Sequence, residues 1–97
     1  MIVKVHKTGD NKKVVAVCDS NLIGKKLEEK NLQLDLTSRF YNGEENTEKE
    51  IVKLFHGAYI INLVGNDSVN LGLKLGIISK NNIIYIKKVP HAQVVLG

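Results

Sequence analysis

Apolar and polar residues alternate along much of this chain with the two-residue period of β-strands, and helical patterns interrupt the alternation in two places. β-Branched runs at 2–8 and 14–19, separated by the turn-rich GDNKK, predict an N-terminal hairpin. The strictly alternating LQLDL at 32–36 predicts a half-buried strand with its three leucines on one face. The charged segment 20–31 lies between these strands and predicts an irregular turn or a single helical turn.

Two segments carry helix signals. Thr47 and Glu50 form a T-x-x-E capping box ahead of an apolar stripe that stops at Gly57, which predicts the first helix. The pattern at 69–75 predicts a second helix. Gly72 lies inside it, where glycine lowers helix propensity, and we therefore expect close packing of that position against the sheet.

Three further strands are predicted in the second half of the chain. AYIINLV at 58–64 is typical of a buried strand, and the segment 83–88 begins with apolar residues on both faces, which predicts a central strand. The chain closes with VPHAQVVLG, the last predicted strand. Pro90 removes an amide and biases Val89 toward extended geometry, so it belongs at the beginning of that strand or on an edge.

These elements predict one α+β domain over residues 1–97, with a mainly antiparallel sheet of about five strands and two helices on one face. Parallel pairing around the second helix is an open alternative, because the order strand, helix, strand between 58 and 88 permits a right-handed crossover. The apolar runs are shorter than the ~20 residues of a membrane helix, and MIVKVHKTG does not resemble a secretory signal. We expect a cytoplasmic protein without a membrane partner.

The charge of the chain is unevenly placed. Residues 1–50 hold nine basic and nine acidic residues, whereas residues 51–97 hold five lysines and a single acid, Asp67, so the net charge of +4 comes from the second half. This asymmetry favours an anionic partner. The alternative is a lysine-rich, merely solvated face.

No motif predicts a metal or cofactor site. The soft ligands lack metal-ligand spacing, and phosphate-binding glycine motifs and nucleophile elbows are absent from the sequence. Cys18 is interpreted as a buried apolar residue. The soft ligands are His6, Cys18, His56 and His91.

Arg39, Phe40 and Tyr41 form the first candidate contact, because this arginine is flanked by paired aromatic residues. Such a group can stack on a base and pair with a phosphate. The alternative interpretation is that these side chains close a small core.

The junction Gly65-Asn66-Asp67-Ser68 forms the second candidate, since it leads from a strand into a helix whose free amides can hold an anion. The alternative is a helix cap made by Asn66, Asp67 or Ser68 itself.

The third candidate is a corner made by Pro90, at which His91 together with Lys87 and Lys88 contacts an anion. The alternative is a histidine ring that satisfies nearby backbone groups.

Six blocks of the sequence, in this order, carry a resemblance to a known family: VKVH (3–6), AVCD (16–19), LIGK (22–25), RFYNG (39–43), NLVGNDSV (62–69) and VPHAQVV (89–95). They resemble the archaeal proteins grouped as Domain of Unknown Function 424. The resemblance implies a small archaeal α+β protein of the cytoplasm, but no assigned activity whose residues could be carried over. It adds Asn62 and Gln93 to the candidate positions, and a loose association of such proteins with translation favours an RNA-related role.

The leading functional hypothesis is a non-catalytic module that binds RNA or a ribonucleoprotein through its basic C-terminal half. The alternative is a small enzyme or nucleotide-binding protein that uses the Gly65–Ser68 loop as an anion cradle and His91 as acid or base. The sequence leaves open whether the protein is an enzyme, and it does not indicate a homo-oligomer. The candidate binding residues are Arg39, Phe40, Tyr41, Asn62, Gly65, Asn66, Ser68, Lys87, Lys88, Pro90, His91 and Gln93.

Overall fold

Eight strands and two helices build the protein, as described by a computed structural model over residues 1–96. The strands are β1 Ile2–Lys7, β2 Lys13–Cys18, β3 Lys26–Glu29, β4 Leu32–Asp35, β5 Glu44–Glu45, β6 Ala58–Val64, β7 Ile83–Ile86 and β8 Val89–Val95. The helices are α1 Glu48–Leu54 and α2 Asn66–Leu75. Short 3₁₀ turns lie at Ser20–Leu22, Arg39–Tyr41 and Lys80–Asn82. The α+β class predicted from the sequence is confirmed.

The main sheet has six strands in the order β5-β1-β2-β6-β8-β7, and β3 pairs with β4 in a separate hairpin. Its pairs are antiparallel except β2 with β6, so the mainly antiparallel arrangement is confirmed. Two expectations are wrong. The parallel pair joins β2 to β6, not the strands around the second helix, and β7 is an edge strand instead of a central one. The prediction assumed that the apolar residues of β7 are buried on both faces, but two of them, Ile84 and Tyr85, are exposed.

Helix α1 begins at the predicted capping box. The Thr47 hydroxyl accepts a hydrogen bond from the Glu50 amide at 3.2 Å, and the Glu50 carboxylate accepts one from the Thr47 amide at 2.8 Å. These reciprocal bonds satisfy two amides that a helix start leaves without intrahelical partners. Ile51 follows the box and is fully buried, so the cap and the core contact lie within one turn.

Both helices pack on the same face of the main sheet. Val15 and Val17 of β2 join Ile61 and Leu63 of β6 in this core. Gly72 of α2 fits tightly there, because a Cβ at this position would lie 2.5 Å from Leu63 Cδ1. The close packing predicted for this glycine is confirmed. The helices contribute Ile51, Val69 and Leu71 to the core.

A second, smaller core lies on the opposite face of the sheet. Ala16, Cys18 and Val64 form its floor, and the β3–β4 hairpin with the first two 3₁₀ turns covers it. Segment 20–31 therefore contains a strand, β3, that the charge-rich sequence did not predict. The covering residues include Leu22, Leu34, Leu36 and Tyr41.

Within residues 1–96, none of the helices is long and apolar enough to cross a membrane.

Candidate functional site

One end of the main sheet gathers several of the candidate residues. The parallel strands β2 and β6 both finish there, at Cys18 and Val64, and the turn between β7 and β8 lies at the same end because Val64 pairs with His91. The carboxyl ends of parallel strands are common ligand positions in proteins that combine helices and sheets. The predicted anion cradle, Gly65–Ser68, directly follows β6 and therefore lies at this end of the sheet.

Asp19 occupies the predicted anion cradle. Its carboxylate accepts hydrogen bonds from the Asp67 amide at 3.0 Å and the Ser68 amide at 2.8 Å, and a third from the Ser68 hydroxyl at 2.7 Å. Asp19 is 7% exposed, and its own amide donates to the Val64 carbonyl at 3.0 Å. An internal carboxylate thus takes the place that a bound anion would take at the start of α2.

Gly65 makes room for this arrangement. Its φ of 103° lies where side chains are rarely accommodated, and a Cβ there would lie 2.3 Å from Asp19 Cγ. The local alternative required a cap made by Asn66, Asp67 or Ser68. None of these residues makes the cap, because the chain brings a distant aspartate to the start of the helix. Sequence inspection missed Asp19, whose only local signal is its place directly after a buried strand.

His91 lies inside β8 and not at an exposed corner. It pairs with Val64 of β6 and Ile84 of β7, and directly paired residues share a face of the sheet, here the face that carries the second core. Both ring nitrogens are buried, and neither has a hydrogen-bond partner among residues 1–96. Burial lowers the pKa of His91 below its ordinary value of 6.5. The predicted corner of His91 with Lys87 and Lys88 is therefore wrong, since buried nitrogens cannot reach an external anion.

Asn62 and Gln93 lie on the same face of the sheet as His91. They pair across β6 and β8, two residue pairs from Val64 and His91. Asn62 is buried and Gln93 is exposed. The structure thus brings together three positions that the sequence blocks had picked out. Pro90 is the second residue of β8, as expected for a strand beginning, and its carbonyl accepts from the Gly65 amide at 2.9 Å.

Arg39, Phe40 and Tyr41 form a 3₁₀ turn whose aromatic rings are used internally. Phe40 stacks on His6 with ring centroids 4.6 Å apart, and the His6 Nε2 atom is 3.0 Å from the Phe40 carbonyl. Tyr41 is 7% exposed, and burial raises its pKa to about 12. The core-closing alternative therefore describes these rings, and only Arg39 is exposed.

We define a lysine-turn surface as the exposed residues Tyr85, Lys87 and Lys88 of the β7–β8 hairpin. Lys87 and Lys88 are the two turn residues between β7 and β8, with φ of 51° and 66°, and Lys30 in the β3–β4 turn has φ of 55°. The two turns adjoin, since the Lys87 amide donates to the Glu29 carboxylate at 3.0 Å.

Tyr85 supplies the exposed aromatic ring of this surface, at 59% exposure. Sequence inspection missed it because Tyr85 appeared to belong to a central strand. No local signal could have found it, because Lys-Lys is not a residue pair that favours a two-residue hairpin turn.

Other reactive side chains offer no site. Burial raises the pKa of the Cys18 thiol to about 12, so this cysteine is inert as a nucleophile. Across residues 1–96, no group of three or more His, Cys, Asp or Glu side chains is arranged to hold a metal ion.

Comparison with known proteins identifies relatives by structure and by family. The crystal structure of an uncharacterized conserved protein from Methanopyrus kandleri matches with a TM-score of 0.78 and 26% sequence identity, covering 96% of this chain and 88% of that one. No curated protein matches this chain. A family model matches residues 6–96 and is described as "Protein of unknown function (DUF424)". The resemblance seen in the sequence blocks is thereby confirmed, and this chain belongs to that family.

Proposed function

We propose that this protein is a non-catalytic binding module that contacts RNA, free or within a ribonucleoprotein, through the lysine-turn surface. The observation that carries the proposal is the left-handed backbone of Lys87 and Lys88, with φ of 51° and 66°. A two-residue hairpin turn with both φ values positive strongly favours Asn-Gly, since side chains with a Cβ are strained there. Lysine at both positions therefore opposes turn stability, which supports a role for the two ammonium groups.

The charges of these lysines are available for a partner. Among residues 1–96 neither Lys87 nor Lys88 forms a salt bridge, whereas Lys74 pairs with Glu48 and Lys12 with Asp10. The contact to Glu29 uses the Lys87 backbone amide and leaves its ammonium free. Phosphate groups along a nucleic-acid strand would neutralise such exposed ammonium groups.

Tyr85 supports RNA over a simple inorganic anion. It lies two residues before the lysine pair and is more than half exposed, so an unpaired base could stack on its ring. Base stacking on aromatic residues beside a basic track is how proteins bind single strands without strong sequence preference. We therefore propose single-stranded segments as the preferred form.

Two contacts argue against the alternative, a nucleotide-binding protein or enzyme at Gly65–Ser68. The Asp67 and Ser68 amides donate to Asp19, so an external phosphate would have to displace a buried carboxylate. The imidazole of His91, proposed as acid or base, keeps both nitrogens buried.

The test is RNA binding by the intact chain and by a variant that loses the lysines but suits the turn. Fluorescence anisotropy with a labelled oligouridine of about ten nucleotides and with a duplex of equal length should show tighter binding of the single strand, weakening steeply with salt. Lys87→Asn combined with Lys88→Gly should weaken binding at least about tenfold and flatten the salt slope by about one to two.

A charge-matched control separates this surface from net charge. Lys49→Gln with Lys53→Gln removes the same two charges from exposed positions of α1 and should leave binding within about twofold of the parent. Equal losses of RNA affinity in the two double variants would mean that binding depends on net charge and not on this surface. Absence of binding at low salt, together with no RNA recovered on the protein from its native extract, would overturn the proposed function.

A further inference from the structure

The outer edge of β1 is only half covered, and its backbone pattern shows which residues face outward. The Met1 carbonyl accepts from the Asn46 amide at 2.9 Å on the β5 side, and the Thr8 amide donates to the Lys12 carbonyl at 2.9 Å on the β2 side. Backbone amides and carbonyls alternate in direction along a strand. The amides and carbonyls of the odd-numbered residues of β1 therefore point outward, away from β2. Strand β5 pairs only with Ile2 and Val3.

Among residues 1–96, no strand pairs with the outward amides and carbonyls of Val5 and Lys7, which therefore form an exposed sheet edge. A groove of about 530 Å³ runs along this edge. Val5 and Leu54 supply its apolar wall, and Lys4 and Glu44 its charged residues. Val5 is 38% exposed, so its side chain is accessible beside these outward backbone groups.

Gly43 closes one end of the groove. A Cβ at this position would lie 1.9 Å from the Val3 carbonyl oxygen, so the backbone passes directly against β1 there and leaves no space for another chain. The open part of the edge begins at Val5. A segment docked there would lie along the part of β1 that β5 does not cover.

We propose that this edge accepts an extended acidic peptide segment of a partner protein by strand addition. The main chain of the segment would pair with Val5 and Lys7. An apolar side chain opposite Val5 would pack on Val5 and Leu54, and acidic side chains would lie opposite Lys4 and Lys7, which are exposed. Glu44 lines the closed end of the groove, and its charge disfavours acidic residues of the segment there.

A second copy of this chain is a poor occupant of the same edge. Strand β1 carries lysines and no acidic residue, so β1 of another copy would place no carboxylate opposite Lys4 or Lys7. The opposite-charge pairs that stabilise a strand ladder would therefore be missing. The charges of this edge thus select an acidic, heterologous segment.

The experiment uses the capped peptide acetyl-Thr-Glu-Val-Val-Glu-Thr-amide, whose pattern fits the edge in either strand direction, and its counterpart with both glutamates replaced by lysine. Amide NMR of the intact chain should show shifts at Val5 and Lys7 with the acidic peptide, and exchange of these two amides should slow. The lysine peptide should bind at least about tenfold more weakly.

Val5→Pro removes one outward amide without removing a bond to β2, and edge strands tolerate proline at such positions. It should weaken acidic-peptide binding at least about tenfold, whereas Val5→Thr, which keeps the amide and adds only a hydroxyl to the apolar contact, should weaken it much less. If Val5→Pro fails to fold, Lys7→Pro at the strand end makes the same test. RNA binding by either proline variant should equal that of the parent, which separates this site from the lysine-turn surface.

Equal binding of the two peptides, or shifts confined to Ile83 and Tyr85 on the other sheet edge, would overturn the proposal. Protection of Val5 that grows with protein concentration in the absence of peptide would also overturn it, in favour of a second copy. Shifts at Val5 on addition of oligouridine alone would assign the groove to RNA instead.

Discussion

Two neighbouring turns at one end of the sheet both use left-handed backbone, and they differ in what the rest of the fold does with it. At Gly65, φ of 103° lets the Asp19 carboxylate approach and bond three donors of α2. At Lys87 and Lys88 the side chains stay exposed, and the one bond from that turn to a neighbouring element, from the Lys87 amide, would form with almost any residue.

This difference shows how backbone strain can be interpreted. Strain at Gly65 has a structural cause, because a side chain would collide with Asp19. Strain at the lysine pair lacks an internal cause of that kind, and strained residues persist where function retains them. Substitutions at the first turn should therefore change stability, and substitutions at the second should change binding.

The largest expected effect is at Asp19. Asp19→Ala removes three hydrogen bonds from buried or half-buried donors, so we expect a loss of about 2–4 kcal/mol in the free energy of unfolding. Asp19→Asn keeps one acceptor oxygen and should lose less. Urea unfolding followed by circular dichroism measures both. A loss below about 1 kcal/mol in Asp19→Ala would contradict the structural role.

Gly65→Ala should destabilise by about 2 kcal/mol or more, since the added Cβ combines left-handed strain with displacement of Asp19. In the Asp19→Ala background the collision is absent, and the cost should fall to about 1 kcal/mol of backbone strain. Denaturant unfolding of the two single variants and the double variant completes the cycle. Strictly additive losses would mean that the two residues do not act as a unit.

His91, whose β8 strand joins the two regions, should make stability depend on pH. Its pKa is lowered by burial, so the unfolded chain binds a proton more readily than the folded one. The contribution is complete above the unfolded value of 6.5 and is lost as the pH falls below it toward the folded pKa. Unfolding at about pH 7.5 and about pH 5 should show less loss in His91→Leu than in the parent. Identical losses would exclude His91 as the cause.

The smallest effect on stability, and the one of opposite sign, is expected at the lysine pair. Lys87→Asn with Lys88→Gly relieves two strained positions and should raise the free energy of unfolding by about 1–2 kcal/mol. Thermal unfolding beside the charge-matched Lys49→Gln, Lys53→Gln variant measures it. A gain in stability together with lost RNA binding would show that the lysines are kept against the preference of the turn. A stability loss would mean that they serve the fold.

Parts of the candidate site were accessible from sequence, and others were not. The strand VPHAQVV was located correctly and the helix after β6 was recognised, although it begins at Asn66 and not at Val69, because proline, glycine and apolar runs act locally. The stacking role assigned to Phe40 and Tyr41 failed, since burial of a ring depends on what covers it. His6, which stacks on Phe40, lies 34 residues away in the chain.

The sequence by itself determined those features whose forces act within a few residues. The capping box at Thr47 and Glu50 and the strand beginning at Pro90 both follow from local geometry. Tertiary structure alone decided which strand became the edge and which carboxylate capped α2. Asp19 reaches Ser68 across 49 residues, and no local preference encodes such a meeting, because strand order is set by the joint burial of two cores.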